Sequence, residues 1–417
     1  MRNFSTSVRW SIGRKGWHPG LLAGIAALGL IGGRSPQGGT LAISPTFDTT
    51  ITTAPNAAQI EAAINTAITT IDGLYSTFNT VTDNVYFQLG PGSFLARTNT
   101  GFFGESYASY TNALEADSAA NPGNTVLSTA IANLSKGNDS NGASRIAATT
   151  GLLRMLGFTA PPCYSSTGDF NCGAAGHPFD AIVTLSTTQP LDFMRPTPAF
   201  PPSEYDALGA IEHELDEVAG GGGPGSTLNE ILNNCSTNAS NFFCNKFGTL
   251  DLYRYSAPNA PSFTTFGSAS SYFSVDGGVT NIVGFNQNSR GDFADFGPNV
   301  TPCPGGGFGG PDAFIQDAFN CNNQQREDYT TASPEYDMML AIGYDPALAV
   351  VSEPSTLAIL NVALFGLGFL SRNRTKGRVA AGLRYIGLPA GRAHRDAKRK
   401  FADKDLGSHC IGRRVND

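Results

Sequence analysis

The stretch EYDALGAIEHELDEVAGGGG, residues 204–223, decides how this chain is read. Its aliphatic residues Leu208, Ile211, Leu215 and Val218 recur at helical spacing and predict one buried face. Ser203 is the expected N-cap, with Glu204 in the first turn, so the spacing predicts a helix over 203–219 that stops at the glycines. Residues four apart share a helix face, which points His213 and Glu217 the same way. Imidazole nitrogen and carboxylate oxygen bind zinc at similar distances, about 2.0–2.2 Å. His213 and Glu217 are therefore candidate metal ligands. The plainer alternative is an ordinary amphipathic helix whose acidic face meets solvent.

Glu214 stands beside the first candidate ligand. In H-E-x-x-H helices that glutamate is the general base acting on metal-activated water. Here glutamate replaces the second histidine, giving H-E-x-x-E. The added carboxylate charge makes metal-activated water less acidic than a second histidine would. Gly220 sits three residues past Glu217, as in H-E-x-x-H-x-x-G-x-x-H, but the third ligand position is Gly223, which has no donor. Between residues 43 and 350 the only histidines are His177 and His213, so a three-histidine site within one chain is excluded. The third donor is then His177, a carboxylate, a tyrosine or water. Asp292 and Asp295 in GDFADF, and Asp276 in VDGG, are downstream candidates, although turn chemistry or calcium binding is the plainer reading of such loops. His177 lies in a Gly/Pro-rich loop and reads as a surface residue.

The surroundings of the motif fit an exported, loop-rich protein. Of 417 residues only 15% are charged, with 49 Gly and 25 Pro. Basic residues collect at the two ends, which leaves the middle strongly acidic. That balance excludes nucleic acid as a partner, because phosphate binding needs a basic patch. It suits divalent cations. Six cysteines fall in the close pairs Cys163/Cys172, Cys235/Cys244 and Cys303/Cys321, and read as local disulfides of an oxidising compartment. Cys410 is left over in the tail. Further helices are expected over 57–74, 107–119, 125–135, 151–156 and 334–342, with strands over 47–53, 84–89, 181–186, 271–275 and 280–284.

The ends read as sorting signals. Arg2, Arg9, Arg14 and Lys15 precede an apolar run over 21–33, too short to span a bilayer, and Thr40-Leu41-Ala42 offers small residues for cleavage. Residues 1–42 are accordingly a signal peptide and 43–350 the ectodomain. Near the other end, VSEPST leads into the apolar run 357–370, followed by Arg372, Arg374, Lys376 and Arg378. Residues 351–378 read as a membrane stop with its basic side cytoplasmic. This segment resembles the PEP-CTERM sorting signal: a Glu-Pro-Ser box, an apolar helix and an arginine cluster in order. The resemblance implies exosortase-type sorting machinery, transient anchoring in the membrane by the C-terminal hydrophobic helix, and a cell-surface or extracellular destination. Such signals end at the arginines. Residues 379–417, basic and without hydrophobic pattern, depart from that and read as a disordered tail.

The helix itself resembles the HEIDEVLG segment of a family of bacterial metalloprotease-like proteins that often carry PEP-CTERM tails. Further matches run in the same order: DAIVTLST (180–187), LYRYSAP (252–258), SYFSVDGG (271–278), GFNQNSRGDFADFG (284–297), QDAF (316–319) and YDMMLAIGYD (336–345). The resemblance implies an α+β, zincin (metzincin-like) domain with a central active-site helix. It implies Zn2+, with His213 and Glu217 as metal ligands and Glu214 as the catalytic base. Met338 or Met339 would lie under the metal as a Met-turn floor, a plain C-terminal core helix being the simpler reading. The expected function is an exported zinc endopeptidase that hydrolyses a protein or peptide substrate. The alternative is a catalytically inactive zincin-like surface or biofilm-matrix protein that binds Ca2+.

Overall fold

A computed structural model of the protein describes residues 38–134, 145–195, 203–231, 235, 242–297, 301–302, 308–309, 314–347 and 411–412. Residues 1–37, read as most of the leader, and 351–378, read as the anchor, lie outside the described residues. Among the described residues no helix is long and apolar enough to cross a membrane.

Strand β1 (Gly39–Phe47) leads through the single turn α1 (Thr49–Thr52) into α2 (Ala57–Leu74). Then come β2 (Tyr75–Thr77), β3 (Val81–Gly90), β4 (Ala96–Ser106), α3 (Tyr107–Ala120) and α4 (Thr125–Asn133). β5 (Arg145–Thr149), α5 (Thr150–Met155) and β6 (Ala181–Ser186) follow. The short pair β7 (Leu191–Asp192) and β8 (Tyr205–Asp206) feeds α6 (Ala207–Ala219). Beyond it lie the turn α7 (Leu228–Glu230), β9 (Lys246–Gly248) and a small antiparallel sheet of β10 (Arg254–Ala257), β11 (Ala260–Pro261), β12 (Tyr272–Phe273) and β13 (Val283–Gly284). β14 (Thr301–Pro302) pairs with β15 (Phe308–Gly309), and α8 (Pro334–Ala341) precedes β16 (Asp345–Pro346).

The main sheet runs β16-β2-β1-β3-β6-β4-β5-β9. β1, β3 and β6 are parallel, while β4 is antiparallel to both β6 and β5. All six residues of β6 are buried, as expected of a central strand covered on both faces. α2 buries Ile60, Ile64, Ile68 and Ile71 and packs on β1 and α6. On β4, Thr98 Oγ1 donates to the Glu214 carbonyl (3.1 Å), which ties α6 to the sheet. Arg154 on α5 bridges Asp83 of β3 (2.9 Å) and Asp180 just before β6 (2.6 Å). The result is a mixed α/β architecture around a large mixed sheet, in line with the expected α+β class.

Three expectations shift. The strand placed at 47–53 lies earlier, as β1, and 49–52 is helical because the Asp48 side chain caps it by accepting from Thr50 N (2.7 Å). β1 also starts ahead of the 42/43 boundary: Gly39 and Thr40 already pair with Thr77 and Ser76. In the basic tail, expected to be disordered, Ile411–Gly412 forms a short strand (β17) against β4, and the rest of the tail lies outside the described residues. The disulfides Cys163–Cys172 and Cys235–Cys244 are formed as expected. Cys321 is disulfide-bonded too, and Cys303 lies outside the described residues.

A buried acid pair closes the fold. Asn121 Nδ2 donates to Asp117 (2.8 Å) and to Asp345 (2.6 Å), and Asn124 Nδ2 donates to the Tyr344 carbonyl (2.8 Å). Burial, together with the Asp345 charge, pushes the Asp117 carboxyl up, and burial pushes Asp345 up. A carboxyl that binds its proton more tightly folded than unfolded contributes most at low pH, and that contribution is lost as pH rises through its folded pKa. Thermal unfolding should therefore show stability falling between pH 5 and pH 8. Asp117→Asn keeps the acceptor for Asn121 without needing a proton, and should remove on the order of 1 kcal/mol of that loss. An unchanged slope would contradict the account of Asp117 as a carboxyl that holds its proton in the folded protein.

Candidate metal centre

α6 begins later than its sequence suggests. Tyr205–Asp206 pairs in parallel with Leu191–Asp192, which holds 205–206 extended. The cap is Asp206, not Ser203: its Oδ1 accepts from Gly209 N (3.2 Å) and its Oδ2 from Arg326 N (3.0 Å). At the other end Gly220 is left-handed (φ +96°), and a Cβ there would meet Leu152 and Thr149 at 3.0 Å. A glycine stop is thus enforced both by conformation and by space.

The helix is not amphipathic with a wet acidic face. Ile211, Leu215 and Val218 are buried as expected and Leu208 is only half-buried, but Glu212, Glu214, Asp216 and Glu217 are buried as well. Buried carboxylates need partners. Arg195 lies 3.7 Å from Glu212 and 3.5 Å from the capping Asp206. The Tyr329 hydroxyl donates to Asp216 (2.9 Å) and meets the Tyr75 hydroxyl at 2.7 Å. Glu214 hydrogen-bonds the Glu217 side chain, and its Oε2 has no hydrogen-bond partner.

His213 organises the remaining polar atoms. Its Nδ1 lies 3.0 Å from the Ile315 carbonyl, which can only accept, and 3.4 Å from Arg326 Nη1; the shorter contact assigns the proton to Nδ1 and leaves Nε2 a lone pair. Burial, aided by the Arg326 charge, holds the imidazole down to about 3, so it is neutral. Nε2 lies 3.8 Å from Glu217 Oε1 and 3.8 Å from Asp295 Oδ2. With a neutral ring these are not ion pairs. They are three ligand-type atoms within 4.8 Å of one another, supplied by His213, Glu217 and Asp295. Burial foremost, and then the Asp292 charge, drive the Asp295 carboxyl well above the usual range. Two buried carboxylates against an uncharged imidazole are a costly arrangement that one divalent cation would relieve. The donor set thus fits a metal ion.

The glycines after α6 make room for these groups. A Cβ on Gly223 would lie 2.5 Å from Glu217 Oε1 and 2.6 Å from Asp292 Oδ2. The position that offers no donor in the sequence is therefore one where the backbone passes tightly against the carboxylates. Gly221 rests on α8: a Cβ there would meet Met338 Cε and Met339 Sδ at 2.8 Å. Both methionines are fully buried, so α8 is a core helix whose sulfur-bearing side chains support the turn behind Glu217.

The structure brings His213 and Glu217 together and places Glu214 beside them. It recruits Asp295 from the GDFADF loop as the third donor and puts Asp292 next to Glu217. Asp276 does turn work instead, accepting from Ser274 Oγ and from Thr280 N, both at 2.8 Å. His177 lies elsewhere, its Nδ1 3.3 Å from the Ala175 carbonyl. Sequence reasoning missed Gln316, whose Nε2 donates to Asp295 Oδ1 (3.0 Å), and Arg326, whose Nη1 donates to the Phe314 carbonyl (3.3 Å). Only the QDAF segment hinted at the first, and nothing in the local sequence marks the second. Set against models of protein families, curated proteins and solved structures, the chain matches none of them.

Gly223→Ala should push the Glu217 and Asp292 carboxylates apart. Zinc titration by calorimetry is expected to show affinity lowered about tenfold or more, with the fold intact by circular dichroism. Unchanged affinity would show that the glycine is not needed for close approach.

Proposed function

We propose that the protein is an exported, zinc-dependent endopeptidase with a zincin-like fold. The observation that carries this reading is the convergence of His213 Nε2, Glu217 Oε1 and Asp295 Oδ2, with the Glu214 carboxyl one residue from the imidazole. Zinc takes one imidazole and two carboxylates readily. When bound, zinc supplies a Lewis acid for the scissile carbonyl and makes water acidic enough to act near neutral pH.

The chain's own residues do the rest. Glu214 is buried, and burial pushes its carboxyl up to about 7 despite hydrogen bonds that pull it down. A group with that proton affinity can take a proton from the attacking water and return it to the leaving amine. Its Oε2, buried and without a hydrogen-bond partner, is the atom free to do so. The Ile315 carbonyl fixes the histidine tautomer, so Nε2 stays a ligand lone pair. The mixed sheet packed on the donor-bearing helix supports the zincin-like reading.

Export rests on the two local disulfides, which need an oxidising compartment, together with the basic-then-apolar leader and the PEP-CTERM-like segment at 351–378 that exosortase-type machinery would process. Because β1 begins at Gly39, leader removal should fall ahead of that residue. A second reading, a non-catalytic surface protein holding calcium, is favoured by one feature: two of the three donors are carboxylates.

Metal analysis combined with an unstructured protein substrate separates the two. The purified protein should carry one zinc and cleave the substrate. Glu214→Gln should lower cleavage by about a hundredfold or more while retaining the metal, and Asp295→Ala should lose both. Calcium in place of zinc, without cleavage, would establish the second reading.

A further inference from the structure

We propose that Gln316 is a fourth protein ligand of this site, turning its side-chain oxygen inward when a cation is bound. The inference rests on the metal-dependent reading above and adds a donor to it.

Gln316 is fully buried, and its backbone N–H donates to Glu335 Oε1 on α8 (2.8 Å), which fixes where its side chain starts. Its Nε2 donates to Asp295 Oδ1 (3.0 Å) and lies 3.2 Å from His213 Nε2. The second contact is informative. Because His213 Nδ1 spends its proton on Ile315, Nε2 can only accept, so a Gln316 N–H occupies the lone pair that a metal needs. Amide hydrogen and cation cannot share it. The other half of the amide, Oε1, is buried and has no hydrogen-bond partner. Gly222 allows the amide to sit so close: it is left-handed (φ +49°), and a Cβ there would lie 2.0 Å from Gln316 Nε2.

Rotation about the last side-chain bond exchanges the two ends of the amide without moving the residue. It would set Oε1 against His213 Nε2 and an Asp295 oxygen. Three acceptors facing one another repel unless a cation lies among them, and carboxamide oxygens are accepted ligands of hard divalent ions. In this account the amide N–H holds the donors together until a cation takes its place, and the amide then becomes a ligand. A residue that only positions Asp295 from outside would keep its nitrogen on that carboxylate in both states.

The test is zinc titration by calorimetry of the purified full-length protein and two variants. Gln316→Glu supplies a stronger oxygen donor and is expected to tighten binding about tenfold or more, whereas Gln316→Leu, which has no donor, should weaken it by a similar factor. If Gln316 were merely a hydrogen-bond donor to Asp295, both variants would weaken binding. If it were merely a competitor, Gln316→Leu would tighten it. Either result overturns the proposal. Should Gln316→Glu not fold, the wild-type protein with labelled glutamine side chains decides. Its Gln316 amide proton resonances should shift on zinc addition as the bond to Asp295 breaks, and resonances that stay in place refute the turn. A wild-type protein that takes up no zinc removes the metal reading and this one together, whereas normal wild-type uptake with the wrong pattern of variants removes this one alone.

Discussion

Four carboxylates on one buried helix set the terms for everything around them. Glu212, Glu214, Asp216 and Glu217 all lie on α6 and all are buried. Removing each ion from water costs several kcal/mol unless it is paired or protonated. The fold deals with them one side at a time. Arg195, which also faces the Asp206 cap, takes the side of Glu212, and the Tyr329–Tyr75 hydroxyl pair takes the side of Asp216. Glu214 and Glu217 face the third side, where His213 Nε2 and Asp295 wait. A cation there would supply positive charge to the one side where two acids of the helix meet a third carboxyl, Asp295.

The two halves of the chain divide the labour. Residues up to α6 supply the sheet, α2 and the helix with its first two donors. The irregular stretch after α6 supplies Asp295, the Ile315 carbonyl, the Gln316 amide and the Arg326 guanidinium. Loops do this well because a backbone carbonyl and short polar side chains can be delivered at one point without the spacing rules of a helix. α8 then locks the delivery: Glu335 holds Gln316 N, while Met338 and Met339 back the Gly221 turn.

How much of this was legible follows from where the information lies. α2 and β6 match their expected bounds because each is set by a local apolar pattern, helical in one and continuous in the other. The one-turn pairing of His213 with Glu217 was legible for the same reason. β4 and β5 were not anticipated, since ARTNTGFFGES and RIAAT are strands by pairing with neighbours rather than by alternation. α6 starts later than its local pattern predicts because Tyr205 and Asp206 form β8 against β7 instead of the first turn. Asp295 was visible only as one acid among several in a loop, because selection of the third donor depends on a contact that no local spacing encodes. The burial of all four acids on α6 was also hidden. A helix rich in glutamate and aspartate ordinarily reads as wet, and only packing from α2, β4 and the later loops makes it otherwise.

Crystals of the protein soaked in zinc, measured at the zinc absorption edge, test the central claim most directly. The account predicts one strong anomalous peak bounded by His213 Nε2, Glu217, Asp295 and the Gln316 side-chain oxygen. An absence of signal between those groups in crystals that carry zinc elsewhere, or an empty site at saturating zinc, would contradict it.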